Sequence, residues 1–296
     1  MKIIKLKKGG NNTNINYNPP LQVQKLDYNF KTFYLINDSI FGGTKLRVLL
    51  HLLQNITENE IVYAGPDSGM AQIAIGAVAK VLNKKATIFV NTYYKMEPKP
   101  FLVEFGQRYL NINYNFATSP KGRTLKDTDL DAQKYVEEDN KNRKLLPFGL
   151  KDEKVMNYFE KLLKEALQNI NPPKRMWLVV GSGMILKTFQ TIWPSTQFMC
   201  VQVGKTVWPD QLMPRTLPDG KIITDKLFVA PEYFTQLTKI LPPYPSIPWY
   251  DAKLWQFVIK DGEDGDYIWN VAQLPTEESL KQFFSIINNL KKNLYD

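Results

Sequence analysis

Residues 61–90 contain the pattern that most restricts the fold of this chain. An apolar run over 61–65 predicts a buried strand, the alanine-rich run 71–82 predicts a helix, and 86–90 predicts a second strand. This spacing is typical of a parallel strand pair joined by a right-handed crossover, with a small-residue helix packed close to the sheet. We therefore expect an α/β protein, with Ser68 at the sheet edge where open α/β sheets bind ligands.

A lysine follows a pair of glycines upstream of this unit. The Gly42-Gly43 pair permits a tight turn, and the following Thr44 can cap a helix. Leucines at helical spacing place Lys45 in the first turn of that helix. A cation there has the wrong sign for the helix dipole, and this field together with desolvation lowers a lysine pKa. Such a lysine suits a nucleophile or an imine-forming amine, although a solvated lysine that merely begins a helix has the same sequence.

Four further segments along the chain bear on a ligand site. Backbone N–H groups at a glycine turn before a helix bind phosphate, although that junction alone is common in α/β proteins. The segments are Asp67-Ser68-Gly69-Met70 before the alanine-rich helix, the strand and Gly-Ser-Gly turn of Trp177–Met184, the segment Pro248–Lys253 and the apolar strand Tyr267–Val271.

Together with Gly42–Arg47, these segments occur in an order that resembles the pyridoxal-phosphate enzymes of the tryptophan synthase β type (fold type II). The resemblance covers about residues 35–275 and is closest to the branch of aminocyclopropane-carboxylate (ACC) deaminase and D-cysteine desulfhydrase. It implies two lobes, each an open twisted parallel sheet with flanking helices. The large lobe would comprise residues 1–57 and 146–296, with a small lobe, 58–145, inserted in it.

The resemblance also implies pyridoxal 5'-phosphate as cofactor, a small amino-acid-like substrate, a homodimer, and an elimination or deamination of the lyase type. Lys45 would form the Schiff base and would be catalytic together with Tyr250 and Ser68. The loop residues Ser68, Gly69 and Met70 would hold the substrate carboxylate. The remaining cofactor-binding residues would be the turn at the phosphate, the acid at the pyridine nitrogen and the end of the last strand: Gly181, Ser182, Gly183, Met184, Asp251 and Asn270.

Two of these residues, Tyr250 and Asp251, are adjacent, so on an extended strand their side chains would point to opposite faces. Both reach one site only if the backbone bends there, which the nearby Pro248 permits. Lys253 is the next candidate for the Schiff base if Lys45 does not form it.

The chain departs from the family pattern at Thr44, Met70, Met184 and Asp251. Met70 cannot hydrogen-bond a ring oxygen of the cofactor, so one alternative is a degenerate member of the fold that binds cofactor or metabolite without turnover. The net charge of +9 suggests another, a basic protein that binds nucleic acid or acts on a modified nucleotide, on the same scaffold. The abundance of asparagine and lysine is consistent with an AT-rich coding genome, viral genomes among them.

Composition excludes several other classes. A hydrophobic content of 44% excludes a disordered chain, and no apolar run reaches the ~18 residues of a membrane helix. The stretch Met1–Lys8 lacks the apolar core of a signal peptide, and the single cysteine, Cys200, excludes an intrachain disulfide, so we expect a cytoplasmic protein. The single histidine, His51, argues against a zinc site and a Ser-His-Asp triad, so we expect no metal.

Overall fold

The computed structural model describes residues 15–38, 40–204 and 212–293, so the basic stretch Met1–Lys8 lies outside the described residues. In chain order the strands are β1 (Val23–Tyr28), β2 (Lys31–Asn37), β3 (Glu60–Ala64), β4 (Lys85–Tyr93), β5 (Asn113–Ala117), β6 (Arg143–Leu146), β7 (Arg175–Val180), β8 (Gln197–Gln202), β9 (Arg215–Thr216), β10 (Ile222–Ile223), β11 (Lys226–Val229) and β12 (Tyr267–Asn270). The helices are α1 (Lys45–Gln54), α2 (Ala71–Val81), α3 (Phe101–Leu110), α4 (Leu125–Glu137), α5 (Glu153–Ala166), α6 (Met184–Ile192), α7 (Trp255–Asp261) and α8 (Glu277–Lys292).

Two sheets form the frame of the molecule. The larger has the strand order β1-β2-β12-β7-β8-β11, with β1 and β2 antiparallel and every other pair parallel. The smaller, β5-β4-β3-β6, is parallel throughout. The predicted α/β class with parallel sheets and flanking helices is therefore confirmed.

The strands of the smaller sheet lie between residues 60 and 146, and those of the larger sheet lie on either side in the sequence. This arrangement accords with an inserted small lobe, but the lobe boundaries themselves stay a prediction. Among the helices in the described ranges, none combines the length and the apolar character that crossing a membrane requires.

The predicted strand–helix–strand unit is β3, α2 and β4, with Ile61 opposite Ala86 in parallel register. Every residue of α2 except Lys80 is buried. A Cβ at Gly76 would lie 2.4 Å from Cδ1 of Ile112, which is closer than real Cβ atoms come to a neighbour. The small side chains of α2 are therefore a requirement of its packing against neighbours on more than one side.

The apolar spacing over residues 151–170 predicts an amphipathic helix with one buried stripe. Helix α5 carries that stripe but is shorter, Glu153–Ala166. Val155, Phe159, Leu162 and Leu163 are buried on one face, and the helix begins after Asp152, which accepts hydrogen bonds from the N–H groups of the first turn. The side-chain cap at Asp152 satisfies N–H groups that the helix itself leaves free.

A buried ion pair fixes the start of α1. Arg47 donates from Nε and Nη2 to the two oxygens of Asp38, at 3.0 and 2.9 Å, directly after β2. Its remaining nitrogen donates to Asn18 Oδ1 and to the Pro19 carbonyl. Because Arg47 and Asp38 are 1% and 0% exposed, each must be paired to remain charged inside the protein.

Candidate active site

A cavity of about 440 Å³ lies between elements of the two sheets, and it gathers most of the residues that the sequence predicts for the site. The predicted residues that line it are Lys45, Ser68, Gly69, Met70, Gly181, Ser182, Gly183, Tyr250 and Asp251. Segments far apart in sequence thus meet at the carboxyl ends of parallel strands, as an open α/β sheet requires.

Lys45 begins α1 and its side chain lines the cavity. The Lys45 side chain is half-buried, and its exposed part faces the cavity. Burial nevertheless lowers the pKa of its amine to about 8. Within the described ranges, Nζ makes no hydrogen bond and no ion pair. The lowered lysine pKa that the sequence predicts is present, but its cause is desolvation.

The turn before Lys45 needs its glycines. Gly42 and Gly43 have φ of +80° and +79°, and a Cβ at Gly43 would lie 2.9 Å from the carbonyl oxygen of Val271. Thr44 does not cap the helix as expected. It has helical dihedral angles, and both its N–H and its hydroxyl donate to the Val271 carbonyl, at 3.1 and 3.2 Å. Thr44 thereby ties the start of α1 to the chain that follows β12.

The loop before α2 presents donors to the cavity. Gln72 Nε2 donates to the carbonyls of Asp67 and Gly69, at 2.6 and 3.0 Å, which turns those oxygens toward the helix. The N–H groups of Met70 and Ala71 have no acceptor in the part of the chain that the structure describes. The Ser68 hydroxyl oxygen is also buried without a partner. Free N–H groups at a helix start and a free hydroxyl are suited to an anion such as a carboxylate.

The glycine turn after β7 also leads into a helix whose first N–H groups are free within the described chain. Gly183 has φ of +82° and precedes α6, whose first N–H groups have no acceptor among the described residues. A Cβ at Gly181 would lie 2.6 Å from Oη of Tyr250, so this edge of the turn has no room for a side chain. The Met184 side chain is buried in the core, so only its backbone can face a ligand.

Tyr250 and Asp251 both face the cavity because the backbone bends between them. Tyr250 has φ of −133° and ψ of −89°, and a short 3₁₀ turn begins at Asp251. The condition that the sequence set for a shared site is therefore met.

The Asp251 carboxylate is buried, and neither oxygen accepts a well-formed hydrogen bond from the described residues. Burial raises the pKa of Asp251 to about 8, although the N–H groups of Val271 and Ala272 lower it in part. Burial, and then the nearby Asp251, raise the pKa of Tyr250 far above its usual value. An unpaired buried carboxyl in a cavity is suited to a cationic or N–H-bearing partner.

Two other candidates have their polar groups engaged elsewhere. The Asn270 amide nitrogen donates to Asn37 Oδ1 and to the Pro245 carbonyl, at 2.8 and 2.9 Å, and its oxygen accepts from Ser246. The residue after it, Val271, lines the cavity instead. The Lys253 amine donates to the Tyr233 carbonyl at 2.6 Å, and Lys253 is not among the residues that line the cavity.

Among the lining residues that sequence reasoning did not assign to the site are Tyr63 and Asn91. Tyr63 lies on β3, burial raises its pKa to about 12, and its hydroxyl accepts from the Gly149 N–H at 3.4 Å. Asn91 lies on β4, beyond the run predicted as a strand. Their position near the carboxyl ends of two parallel strands is the signal that could have indicated them.

The remaining reactive side chains lie outside the cavity. Nδ1 of His51 lies 3.1 Å from the Tyr158 hydroxyl, and burial lowers the pKa of His51. Cys200 is buried on β8, and burial raises the pKa of its thiol. A group of acidic, histidine or cysteine side chains that could hold a metal is absent from residues 15–38, 40–204 and 212–293.

No known family model matches this chain, and no curated protein matches it in sequence. Its structure is similar to solved enzymes over nearly their whole length. An ACC deaminase homologue aligns with a TM-score of 0.65 over 94% of this chain and 95% of that chain, at 14% identity. The processed form of threonine deaminase isoform 2 from Solanum lycopersicum aligns with a TM-score of 0.52 over 87% of this chain and 82% of that chain, at 15% identity.

A hydrogen sulfide-producing enzyme from Fusobacterium nucleatum aligns with a TM-score of 0.57 over 91% of this chain and 94% of that chain, at 12% identity. These likenesses show that the chain has the tryptophan synthase β-like fold, fold type II, as the sequence predicts.

Proposed function

We propose that this protein of the tryptophan synthase β-like fold is a pyridoxal-phosphate-dependent enzyme that acts on an amino acid or a similar substrate. The observation that carries the proposal is the amine of Lys45. It lies in the cavity without a hydrogen bond or ion pair in the described ranges, and burial lowers its pKa to about 8.

The residues of the cavity fit each part of the cofactor. The N–H groups after the Gly181–Gly183 turn suit a phosphate, since they lack acceptors in the described chain. The unpartnered carboxyl of Asp251 suits a protonated ring nitrogen. Lys45 supplies the amine that a carbonyl carbon requires. The free N–H groups, the Asp251 carboxyl and the Lys45 amine thus match the phosphate, the ring nitrogen and the carbonyl carbon of one cofactor molecule.

When bound, pyridoxal 5'-phosphate supplies an electron sink for bonds at the substrate's α-carbon. The chain's own residues then bind the substrate and move protons. Ser68 and the first N–H groups of α2 hold the substrate carboxylate, while the bent segment places Tyr250 toward the substrate. Burial lowers the pKa of Lys45 to about 8, so its amine can accept and return a proton at the substrate carbon.

We further propose an elimination or deamination of the lyase type. Support comes from the similar structures, which are those of an ACC deaminase homologue, a threonine deaminase and a hydrogen sulfide-producing enzyme. A homodimer is proposed because the sequence resemblance to this family implies one, and light scattering of the cofactor-loaded protein would test it.

The experiment that tests this function traps the cofactor on its lysine. Purified protein is incubated with pyridoxal 5'-phosphate, reduced with borohydride and digested, and the modified peptide is identified by mass spectrometry. We expect the adduct on Lys45 and its loss in Lys45→Met, while the matched variant Lys253→Met keeps it. A protein that forms no reducible adduct, or forms it equally in Lys45→Met, would overturn the proposed function.

A further inference from the structure

Asn91 lines the cavity at a point where the pairing of β4 is irregular. Residues 87–89 of β4 pair in order with β5, but the register shifts between Phe89 and Tyr93. Such irregularities leave a residue out of the regular alternation and change the direction of its side chain. The β4 irregularity therefore accounts for a polar side chain on the cavity wall.

Hydrogen bonds from Arg123 fix the backbone at Asn91. The Arg123 N–H donates to the Asn91 carbonyl at 3.3 Å, and Arg123 Nε donates to the Val90 carbonyl at 3.1 Å. Arg123 is itself paired with Asp131 on α4. Gly122 has φ of +70°, and a Cβ there would lie 2.7 Å from the Asn91 carbonyl oxygen, so the loop can approach only through glycine.

The Asn91 side chain, in contrast, makes no hydrogen bond to the described residues. Its Oδ1 atom is buried and has no hydrogen-bond partner in the part of the chain that is described. A buried amide oxygen is normally satisfied, so an unpartnered one on a cavity wall indicates a ligand group that donates to it.

A second acceptor lies on the same wall. Asp67 is buried, lines the cavity, and accepts a hydrogen bond on Oδ2 from Thr92, the residue after Asn91. A carboxylate has room for further donors after one hydrogen bond. The groups that fit the cofactor belong to Lys45, Asp251 and the turn after β7, whereas Asp67 and Asn91 belong to the β3–β4 side.

We propose that Asn91 and Asp67 form a subsite for a hydrogen-bond donor on the substrate's side chain. The substrate class is then amino acids whose side chain ends in an amide, a hydroxyl or an ammonium group. This inference rests on the proposed function, because it assumes that an amino acid binds next to the cofactor.

The test compares amino acids of matched size in the cofactor-loaded protein. Racemic glutamine is paired with methionine, and racemic ornithine with norleucine, and binding is followed by the change in visible absorbance. We expect the donor-bearing member of at least one pair to bind tighter by tenfold or more, and Asn91→Leu to abolish that preference. Retention of the borohydride-reducible adduct in Asn91→Leu shows that the cofactor site is intact.

Asn91→Asp distinguishes recognition by hydrogen bonding from recognition by charge. It keeps acceptor oxygens and adds a charge, so it should preserve the preference for donors and strengthen it for ornithine. Loaded parent protein that shows no preference in either pair, or an unchanged preference in Asn91→Leu, would overturn the subsite alone. Parent protein that takes up no cofactor on Lys45 would overturn the proposed function, and the subsite with it.

Discussion

The two ionisable side chains that matter most, Lys45 and Asp251, have pKa values that burial moves toward each other. Burial lowers the pKa of Lys45 and raises the pKa of Asp251, in each case to about 8. Near neutral pH each of these two side chains can therefore gain or lose a proton. A group of this kind can transfer a proton or bind either a cation or a neutral donor.

We predict that Asp251 makes the cofactor-free protein less stable as pH rises. Between the ordinary aspartate pKa of about 3.9 and the folded value of about 8, the folded state holds a proton that the unfolded chain has lost. The free energy of unfolding therefore falls with rising pH across this window, by on the order of a few kcal/mol. Urea unfolding at several pH values should show this slope in the parent and a flatter one in Asp251→Asn. Glu137→Gln, at an exposed acid of α4, is the control and should keep the parent's slope.

We predict that Gly43→Ala destabilises the protein more than Gly220→Ala does. Both glycines have positive φ, +79° and +82°, so alanine costs about 1–2 kcal/mol of backbone strain at each. Only at Gly43 would the new methyl group also meet its surroundings, 2.7 Å from the Ala272 methyl group, which adds about 1–3 kcal/mol. Thermal unfolding of the two variants measures the difference. Equal losses would mean that the turn before Lys45 can move aside.

At the residue scale, the sequence predicts groups whose role depends on one short segment. It does not predict which distant residues form hydrogen bonds with those groups. Lys45 and the Gly181–Gly183 turn each lie in one contiguous segment, and both line the cavity. Thr44 fails as a cap, and the Asn270 amide is engaged, because the carbonyls that accept from them belong to residues 271 and 245. Asn91 was missed because its exposure to the cavity depends on a pairing irregularity between β4 and β5.

Helix α1 carries Lys45, and the Arg47–Asp38 pair joins its first turn to the end of β2. We predict that Arg47→Met costs about 3–5 kcal/mol of unfolding free energy, because it leaves the buried Asp38 charge without a partner. Adding Asp38→Asn should recover part of that loss. The exposed pair Lys25–Asp27 on β1 is the control, and Lys25→Met should change stability little. Urea unfolding of Arg47→Met, Asp38→Asn and their double variant gives the coupling, with Lys25→Met measured beside them. A double variant no more stable than Arg47→Met would contradict the prediction.

At the element scale, periodic segments could be predicted and aperiodic ones could not. α2 and α5 lie where the apolar spacing indicates. The bend at Tyr250 could be stated only as a condition for a shared site. Tyr250 and Asp251 both reach the cavity because of the dihedral angles of Tyr250, and no local sequence pattern requires those angles. The same applies to β6, whose Arg143–Leu146 segment is half-exposed and has no clear strand periodicity.

The whole molecule is organised around a cavity whose walls come from both sheets. Beside the cavity, Nε1 of Trp249 donates a hydrogen bond to the carbonyl of Ser68 at 2.8 Å, which joins the segment before Tyr250 to the loop after β3. Binding of a ligand that contacts both walls should therefore stabilise both sheets together, by about 2.7 kcal/mol at a hundred times the Kd.

We predict that pyridoxal 5'-phosphate together with a bound amino acid slows amide hydrogen exchange in β3 and β4 as well as in β7 and β8. Trp249→Phe, which removes the bond to Ser68, should reduce the slowing in β3 and β4 and preserve it in β7 and β8. Exchange measured by mass spectrometry on loaded and unloaded protein gives both effects. Slowing confined to β7 and β8 in the parent would mean that the two walls respond independently.

The position of β12 between β2 and β7 has a consequence for how the chain matures on the ribosome. The four strands of the smaller sheet are complete by residue 146, so that sheet can form while synthesis continues. The larger sheet stays divided until residues 267–270 insert between strands made much earlier. Since Thr44 bonds to the carbonyl of Val271, the turn before Lys45 gains its final support only then. Lys45 of a nascent chain therefore lies in an unfinished pocket for most of its synthesis, and we expect the cavity to bind its ligand only after translation is complete.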